Sequence, residues 1–219
     1  MARKDHCGNR KARKNMSTRI PDLGYYYVVT DTDATESNYV NGLRDSLPRE
    51  IKNRIVIKVV KSRTVKLVET CKEQLAINPQ YAEPWIIFDR DQVVGFDEII
   101  ASAEKAGINV GWSNPCFEIW LDAYFGKMHS YSDSVSCCKG FATTFEKNVG
   151  IKYKKSNERL YRLLSEYGDE NKAIEIANNN LKKFKSVGTF KPSEMYPCTT
   201  VQNFVGKIRK SLGTVSNND

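Results

Sequence analysis

Segments with the apolar pattern of strands alternate with segments of helical periodicity along the first half of this chain. The predicted strands cover residues 25–30, 54–60, 85–88 and 108–112. The predicted helices begin near residue 36 and cover residues 64–77 and 96–105. Alternation of this kind favours a parallel sheet with right-handed crossovers, in which all strands end at one edge. We therefore predict an α/β fold with a mostly parallel, four-stranded sheet flanked by helices.

Acidic residues follow the first and the third of these strands. Asp31 and Asp33 come directly after the first strand, and Asp89 and Asp91 come at the end of the third. Ligands of open α/β sheets bind in the crevice at the carboxyl ends of the strands, so these four side chains should share one site. Like charges about 4 Å apart repel by several kcal/mol, and a hard divalent cation relieves that repulsion. The sequence therefore predicts a site for Mg²⁺, or for Mn²⁺, at this edge.

A further carboxylate follows the fourth strand. Residues 113–121 predict a helix that is capped by Ser113 or Asn114 and carries Pro115 in its first turn. Glu118 belongs to that first turn. If the fourth strand lies beside the third, Glu118 reaches the acidic crevice and supplies a fifth carboxylate. A simpler interpretation is that Glu118 stabilises the helix N-terminus through the macrodipole.

The second half of the chain has a different pattern. Residues 126–156 are polar, rich in serine and lysine and weakly periodic, which indicates an insertion or a mobile loop. Helical periodicity returns at residue 157, breaks at Gly168 and Asp169, and predicts a helical hairpin followed by a last helix from about residue 200. We therefore divide the chain into a basic N-terminal arm, an α/β core, the polar insertion and a helical C-terminal region, at residues 1–22, 23–125, 126–156 and 157–219.

The charge balance indicates a polyanionic partner. The formal net charge is +8, and basic residues crowd the arm, which has too few apolar residues to fold alone. The basic residues that we expect to bind nucleic acid through its phosphates are Arg3, Lys4, Arg10, Lys11, Arg13 and Lys14. A solvated tail that aids solubility is the alternative. No segment has the roughly 18 consecutive apolar residues of a membrane span, so we expect a cytoplasmic protein without membrane contact.

The six cysteines show no paired C-x-x-C spacing and indicate reduced thiols instead of a disulfide framework. Two zinc sites are conceivable from sequence neighbours. One would join His6 with Cys7, and the other would join His129 with Cys137 and Cys138. Neither set has the regular spacing of structural zinc sites, so we do not predict one.

Four segments resemble the RloB-like family of Toprim-related proteins from bacterial restriction and abortive-infection loci. Residues 28–39 read VVTDTDATESNY, residues 88–91 read FDRD, residues 113–121 read SNPCFEIWL, and residues 196–201 read YPCTTV. The run at 113–121 is the most distinctive of the four. In the family, the first strand runs into Glu-Gly-Glu-x-Thr-Glu-x-x-Tyr. Here Asp31 and Asp33 stand for the first two glutamates, whereas Glu36 matches directly.

The resemblance implies a Toprim-like (Rossmann-like) fold and a Mg²⁺-dependent endonuclease. The catalytic residues that it implies are Asp31, Glu36, Asp89 and Asp91. The metal ligands would be Asp31, Asp33, Asp89, Asp91 and Glu118. Asp31 could instead act as the acid or base. We also assign Arg90, between the two aspartates, to phosphate binding.

The resemblance also implies a biological role. The nuclease would cleave RNA, such as tRNA, or DNA, as a toxic effector of anti-phage defence by abortive infection. Relatives of this type pair with an ATPase, so a partner of AAA or ABC type is implied. The alternative is a subunit that binds nucleic acid or the partner and has lost catalysis through the Glu-to-Asp changes. A primase-like nucleotidyltransferase is a third interpretation, and a homo-oligomer is compatible with all three.

Overall fold

The computed structural model describes residues 24–31, 34–52, 56–77, 79, 82–91 and 93–216. The strands are β1 (Tyr25–Thr30), β2 (Val56–Lys61), β3 (Ala82–Asp89), β4 (Asn109–Asn114) and β5 (Cys198–Thr199). The helices are α1 (Thr35–Asp45), α2 (Arg49–Lys52), α3 (Leu67–Ile77), α4 (Phe96–Lys105), α5 (Glu118–Ala123), α6 (Ser134–Val149), α7 (Leu160–Tyr167), α8 (Glu170–Ser186) and α9 (Val201–Ser216). Within these residues, none of the helices combines the length and the apolar character that a bilayer crossing requires.

The five strands form one sheet in the order β2-β1-β3-β4-β5. The first four are mutually parallel, and β5 pairs with β4 in the antiparallel direction. The predicted α/β fold with a mostly parallel sheet is confirmed, but the predicted count of four strands is wrong. The fifth strand has only two residues, too few to produce a recognisable alternation. Since β2 and β3 lie on opposite sides of β1, the strand order reverses between β1 and β3, where α/β sheets bind ligands.

Both faces of the sheet are covered, as expected for parallel strands. Tyr26 and Val28 of β1 belong to a core cluster with residues of α1 and α9. Tyr27 and Val29, which alternate with them, belong to a second cluster with residues of α3 and α4. Tyr26 and Tyr27 contribute to this packing, being 1% and 4% exposed.

The segment expected as a polar insertion or loop contains α6, a helix of 16 residues. It begins with a capping box, in which the Asp133 carboxylate accepts from the Ser136 backbone N–H at 2.7 Å. It buries only Cys137, Phe141 and Phe145, each four residues apart. Because this apolar stripe is so narrow and the other positions are mostly polar, the helical period is weak in the sequence.

The helix predicted over 113–121 begins later than expected, because β4 continues to Asn114 and α5 starts at Glu118. Ser113 and Asn114 are therefore strand residues and not helix caps. Ser113 pairs with Thr199 of β5, and the Asn114 side-chain amide donates to the Met195 carbonyl at 2.8 Å. These partners lie more than 80 residues away in the sequence, so no local sequence pattern predicts them.

The predicted C-terminal hairpin is confirmed as α7 and α8. Gly168 separates the two helices, and a Cβ atom there would lie only 2.9 Å from the Tyr124 side chain, so the close approach requires glycine. Phe141, Leu164 and Phe204 share one core cluster with Tyr26 of β1. The helical C-terminal region thus packs against the α/β core, while the boundaries assigned to the regions stay a prediction.

A half-buried ion pair joins α8 to α9. Arg209 Nε lies 2.5 Å from Glu170 Oε1, and the hydroxyls of Tyr124 and Tyr161 donate to Glu170 Oε2 at 3.1 and 2.9 Å.

We expect Arg209→Met to lower the free energy of unfolding by about 2 kcal/mol, measured by urea titration. Breaking a fully buried pair costs about 3–5 kcal/mol, and the Arg209 side chain is 34% exposed. Lys210→Met, at an exposed position of the same helix, is the control, and equal losses in both variants would contradict the assignment.

Candidate functional site

An open cleft of about 470 Å³ lies at the carboxyl ends of β1 and β3. Four carboxylates line it, those of Asp31, Glu36, Asp89 and Asp91. The parallel register pairs Thr30 with Ile87, so Asp31, just past β1, lies beside the end of β3, whose last residue is Asp89. The prediction that Asp31 meets Asp89 and Asp91 at one sheet edge is confirmed, whereas Asp33 lies outside the described residues. That these residues are catalytic stays a prediction.

Asp31 is a largely buried carboxyl group just beyond β1. Its Oδ2 accepts a 3.4 Å hydrogen bond from the Thr64 hydroxyl, and its Oδ1 is buried without a hydrogen-bond partner among the described residues. Burial, and then the negative charge of Glu36, raise the pKa of Asp31 to about 7. Asp31 therefore changes its protonation state near neutral pH.

Asp89 is held at the end of β3 by a backbone contact from the turn between β4 and α5. Its Oδ2 accepts from the Phe117 N–H at 3.2 Å. Burial, followed by the charges of Glu36 and Asp31, raises the pKa of Asp89 well above its usual range. Glu36, in the first turn of α1, is 3% exposed. Three carboxyl groups, of which Glu36 is buried and Asp31 and Asp89 are half-buried, thus repel one another across the cleft.

Asp91 is exposed at the rim of the cleft. Its φ of 25° lies in the region that few residues other than glycine adopt, and aspartate is among those that tolerate it best. The Asp91 N–H donates to the Pro115 carbonyl at 2.8 Å, which fixes this turn. Arg90, the predicted phosphate ligand, lines a neighbouring depression of about 270 Å³ that shares Asp91 with the cleft.

Glu118 does not line the cleft. It is fully buried, and its Oε1 accepts from the Tyr153 hydroxyl at 2.9 Å and from Lys155 Nζ at 3.1 Å. Burial acts in the opposite direction, but the Lys155 ammonium, with the nearby Cys116 thiol and Tyr153 hydroxyl, outweighs it and lowers the pKa of Glu118. Glu118 is thus an anion that holds Lys155, and Lys155 does line the cleft.

Sequence reasoning missed two cleft residues, Lys155 and Thr64. Lys155 belongs to a lysine-rich segment in which nothing distinguishes it from Lys152 or Lys154. Thr64 could have been found, because it follows the second strand and so falls at the same edge of a parallel sheet as Asp31. Lys155 brings a positive charge to an otherwise acidic cleft.

The residues of the cleft fit a hard divalent cation. They offer carboxylate oxygens, and the buried Asp31 Oδ1 has no other partner among the described residues. A cation would also relieve the repulsion that raises the pKa of Asp31 and Asp89. Within the described part of the chain, no three cleft carboxylates bring oxygens within 4.8 Å of one another. This wider spacing suits Mg²⁺, which keeps several waters and takes only one or two carboxylates directly.

Several predicted site residues lie outside the described residues. Asp33, predicted as a metal ligand, is among them. The basic residues of the arm are the others, namely Arg3, Lys4, Arg10, Lys11, Arg13 and Lys14.

Comparison with known proteins identifies the family. The family model described as RloB-like protein matches residues 26–208, which include the four carboxylates and Lys155. Neither the curated proteins nor the solved structures gave a match. Because the family model covers most of the chain, this protein belongs to the RloB-like family.

Proposed function

We propose that this protein is a Toprim-type endonuclease that depends on Mg²⁺ or Mn²⁺ and cleaves phosphodiester bonds of nucleic acid. One observation carries the proposal. Two acidic clusters, 58 residues apart from Asp31 to Asp89, come together in one cleft at the point where the strand order reverses. Carboxylates crowded into one partly buried cleft must bind protons or a cation, and a hard divalent cation suits their oxygen atoms.

Each cleft residue has a role in this proposal. Asp89 and Asp91, with Asp31 or Asp33, would hold the ion, which when bound supplies Lewis-acid activation of the phosphodiester and of water. Alternatively, Asp31 would leave the ion to the other carboxylates and accept a proton from the attacking water, a role that its raised pKa suits. Glu36 adds negative charge beside both aspartates. Its charge helps to keep Asp31 basic enough for that task.

Lys155 would contact the oxygens of the scissile phosphate. Its ammonium lines the cleft, and the buried Glu118 carboxylate 3.1 Å away fixes its position. Burial opposes the charge, but Glu118 outweighs it and raises the pKa of Lys155 above its usual range. Lys155 therefore stays protonated at neutral pH and stabilises charge that develops on the phosphoryl group.

Cations beside the cleft support a nucleic-acid substrate. Lys154, next to Lys155 in the chain, lines a cavity of about 730 Å³ together with Lys152 and Arg159. Arg159 also lines the adjoining cavity, where Arg162 adds a further charge. A row of this kind binds the phosphate backbone without reading sequence, so RNA such as tRNA and DNA are both candidate substrates.

Membership of the RloB-like family supports the biological part of the proposal. We extend the function to a toxic effector of bacterial anti-phage defence, acting in the cytoplasm by abortive infection. A partner ATPase of AAA or ABC type would control the nuclease.

The proposal is tested by incubating the purified protein with labelled tRNA and with plasmid DNA, in Mg²⁺, in Mn²⁺ and in EDTA. We expect metal-dependent cleavage that an Asp89→Ala, Asp91→Ala double variant loses. Glu104→Ala, which removes an exposed carboxylate of α4 outside the cleft and its neighbouring cavities, should cleave like the wild type. Cleavage that survives in the double variant would refute the site. Metal-independent binding without cleavage would support the binding subunit instead.

Lys155→Met should lower the single-turnover rate of cleavage about a hundredfold, because it removes a charge that acts on the reacting phosphate. The dissociation constant for nucleic acid should change much less, since the neighbouring cations remain. Lys152→Met, which removes an exposed charge from the adjacent cavity, is the matched control. A rate loss of the same size in both variants would show that Lys155 acts only as one more surface charge.

A further inference from the structure

Two cysteines and a glutamate form a compact cluster beneath the turn between β4 and α5. Cys116 Sγ lies 3.8 Å from Cys138 Sγ, and one oxygen of Glu118 lies within 4.8 Å of both sulfurs. Among the residues that the structure describes, this is the one group of three candidate metal-ligand side chains drawn so close together. Cys116 and Glu118 are buried, and Cys138 is partly exposed.

Glu118 has one carboxylate oxygen to spare for a ligand. Oε1 accepts from the Tyr153 hydroxyl and from Lys155, whereas Oε2 is buried and has no hydrogen-bond partner within the described ranges. A metal-bound carboxylate commonly has its other oxygen held by hydrogen bonds in this way. The residue is 0% exposed, so water does not reach the spare oxygen directly.

The sulfur spacing matches metal ligation better than a disulfide. In a tetrahedral site with Zn–S bonds of about 2.3 Å, the two sulfurs lie about 3.8 Å apart. A disulfide would need them at about 2.05 Å, which requires movement of α6 or of the β4–α5 turn. The charges also balance, because Zn²⁺ and the Lys155 ammonium together offset two thiolates and one carboxylate.

We propose that Cys116, Cys138 and Glu118 bind a thiophilic divalent cation, Zn²⁺ being the best fit, with solvent at the fourth position beside Cys138. The two thiols release their protons to solvent when the ion binds. The zinc set considered from sequence, His129 with Cys137 and Cys138, does not form. His129 Nδ1 instead lies 2.6 Å from the Asp122 carboxylate. The alternative set, His6 with Cys7, lies outside the described residues.

The ion would join α6 to the turn that holds the acidic cleft. Cys116 lies between Pro115, whose carbonyl accepts from the Asp91 N–H, and Phe117, whose N–H donates to Asp89. A bound ion would therefore fix this turn from below, which is a structural role. The site does not depend on the proposed nuclease activity, and it can be tested without an activity assay.

Cobalt is a suitable probe, because Co²⁺ bound to thiolates absorbs in the near ultraviolet. The purified full chain, reduced and freed of metal, is titrated with CoCl₂, and Zn²⁺ is then added to displace the Co²⁺. We expect a saturable thiolate absorption that Cys116→Ser and Cys138→Ser abolish. Glu118→Gln should retain the absorption but bind Co²⁺ more than about 100-fold more weakly, because it removes a ligand and not only a residue that supports one. Cys198→Ser, a buried cysteine elsewhere in the core, is the control and should behave like the wild type.

A second measurement on the wild type avoids variants that fail to fold. Zn²⁺ should slow the alkylation of Cys138 by N-ethylmaleimide at least about tenfold, followed by peptide mass spectrometry, because a metal-bound thiolate is less available. Absence of the cobalt absorption in the wild type would overturn the proposal. So would a Cys116–Cys138 disulfide in protein that binds neither metal, or unchanged alkylation of Cys138 in Zn²⁺.

Discussion

Asp89→Asn should lower metal-dependent cleavage more than about a hundredfold while the protein remains folded. Asparagine has nearly the same volume and keeps an oxygen that can accept the Phe117 N–H, but it loses the charge that would hold the cation. Changes to residues that only support a metal ligand already reduce affinity or activity about 10–100-fold, so the loss of a ligand should exceed that range. The measurement is the single-turnover rate in Mg²⁺ and in Mn²⁺.

Two further variants distinguish a loss of catalytic activity at Asp89 from a loss of protein stability. Asp89→Ala should lose both activity and stability, because the Phe117 N–H is then left without an acceptor, which costs about 1–3 kcal/mol. Asp97→Asn, at a carboxylate that accepts from the Ser193 N–H at 2.9 Å outside the cleft, should cleave within about twofold of the wild type. Activity of Asp89→Asn equal to that of the wild type would remove Asp89 from the site.

The stability of the metal-free protein should fall as the pH rises from 5 to 8. Burial raises the pKa of Asp31 from 3.8 to about 7, so at pH 5 the group is protonated in the folded protein and ionised in the unfolded chain. A raised pKa contributes stability at low pH that is lost as the pH passes the folded-state value. One such group accounts for up to about 3 kcal/mol over this interval, and Asp89 acts in the same direction.

Urea titrations in EDTA at several pH values measure this effect. Asp31→Asn should flatten the profile and should be more stable than the wild type at pH 8, although it should also lose cleavage. Adding Mg²⁺ should stabilise the wild type at pH 8 and have little effect at pH 5, where protons compete for the same carboxylates. A wild-type profile that rises between pH 5 and pH 8 would contradict the assigned state of Asp31.

The parts of the fold that sequence predicts are those encoded locally. The strand before Asp31 and the strand that ends at Asp89 are continuous apolar runs, and their parallel arrangement follows from the helices between them. The acidic cleft could therefore be predicted, because strand ends of a parallel sheet meet. The short strand at Cys198 and the end of β4 at Asn114 could not, since each depends on a partner more than 80 residues away.

The side-chain contact between Glu118 and Lys155 could not be predicted from the sequence either. Glu118 was predicted to reach the crevice, but it lies buried and holds Lys155 instead. The difference comes from α6 and the segment after it, which bring Lys155 and Cys138 against the β4–α5 turn. We expected residues 126–156 to form an insertion or a loop. For this reason neither the position of Lys155 in the cleft nor the contact between Cys116 and Cys138 could be predicted.

The C-terminal elements β5 and α9 pack against strands that come early in the chain. Phe204 of α9 packs edge-on against Tyr26 of β1 and Trp85 of β3, and β5 covers the open edge of β4. Because the ribosome makes the N-terminal strands first, the part of this sheet face that α9 covers stays exposed until residues 198–208 emerge. The nascent chain therefore reaches its stable packing late in synthesis. A chain truncated before α9 would be a substrate for proteases and chaperones, and not a stably folded protein.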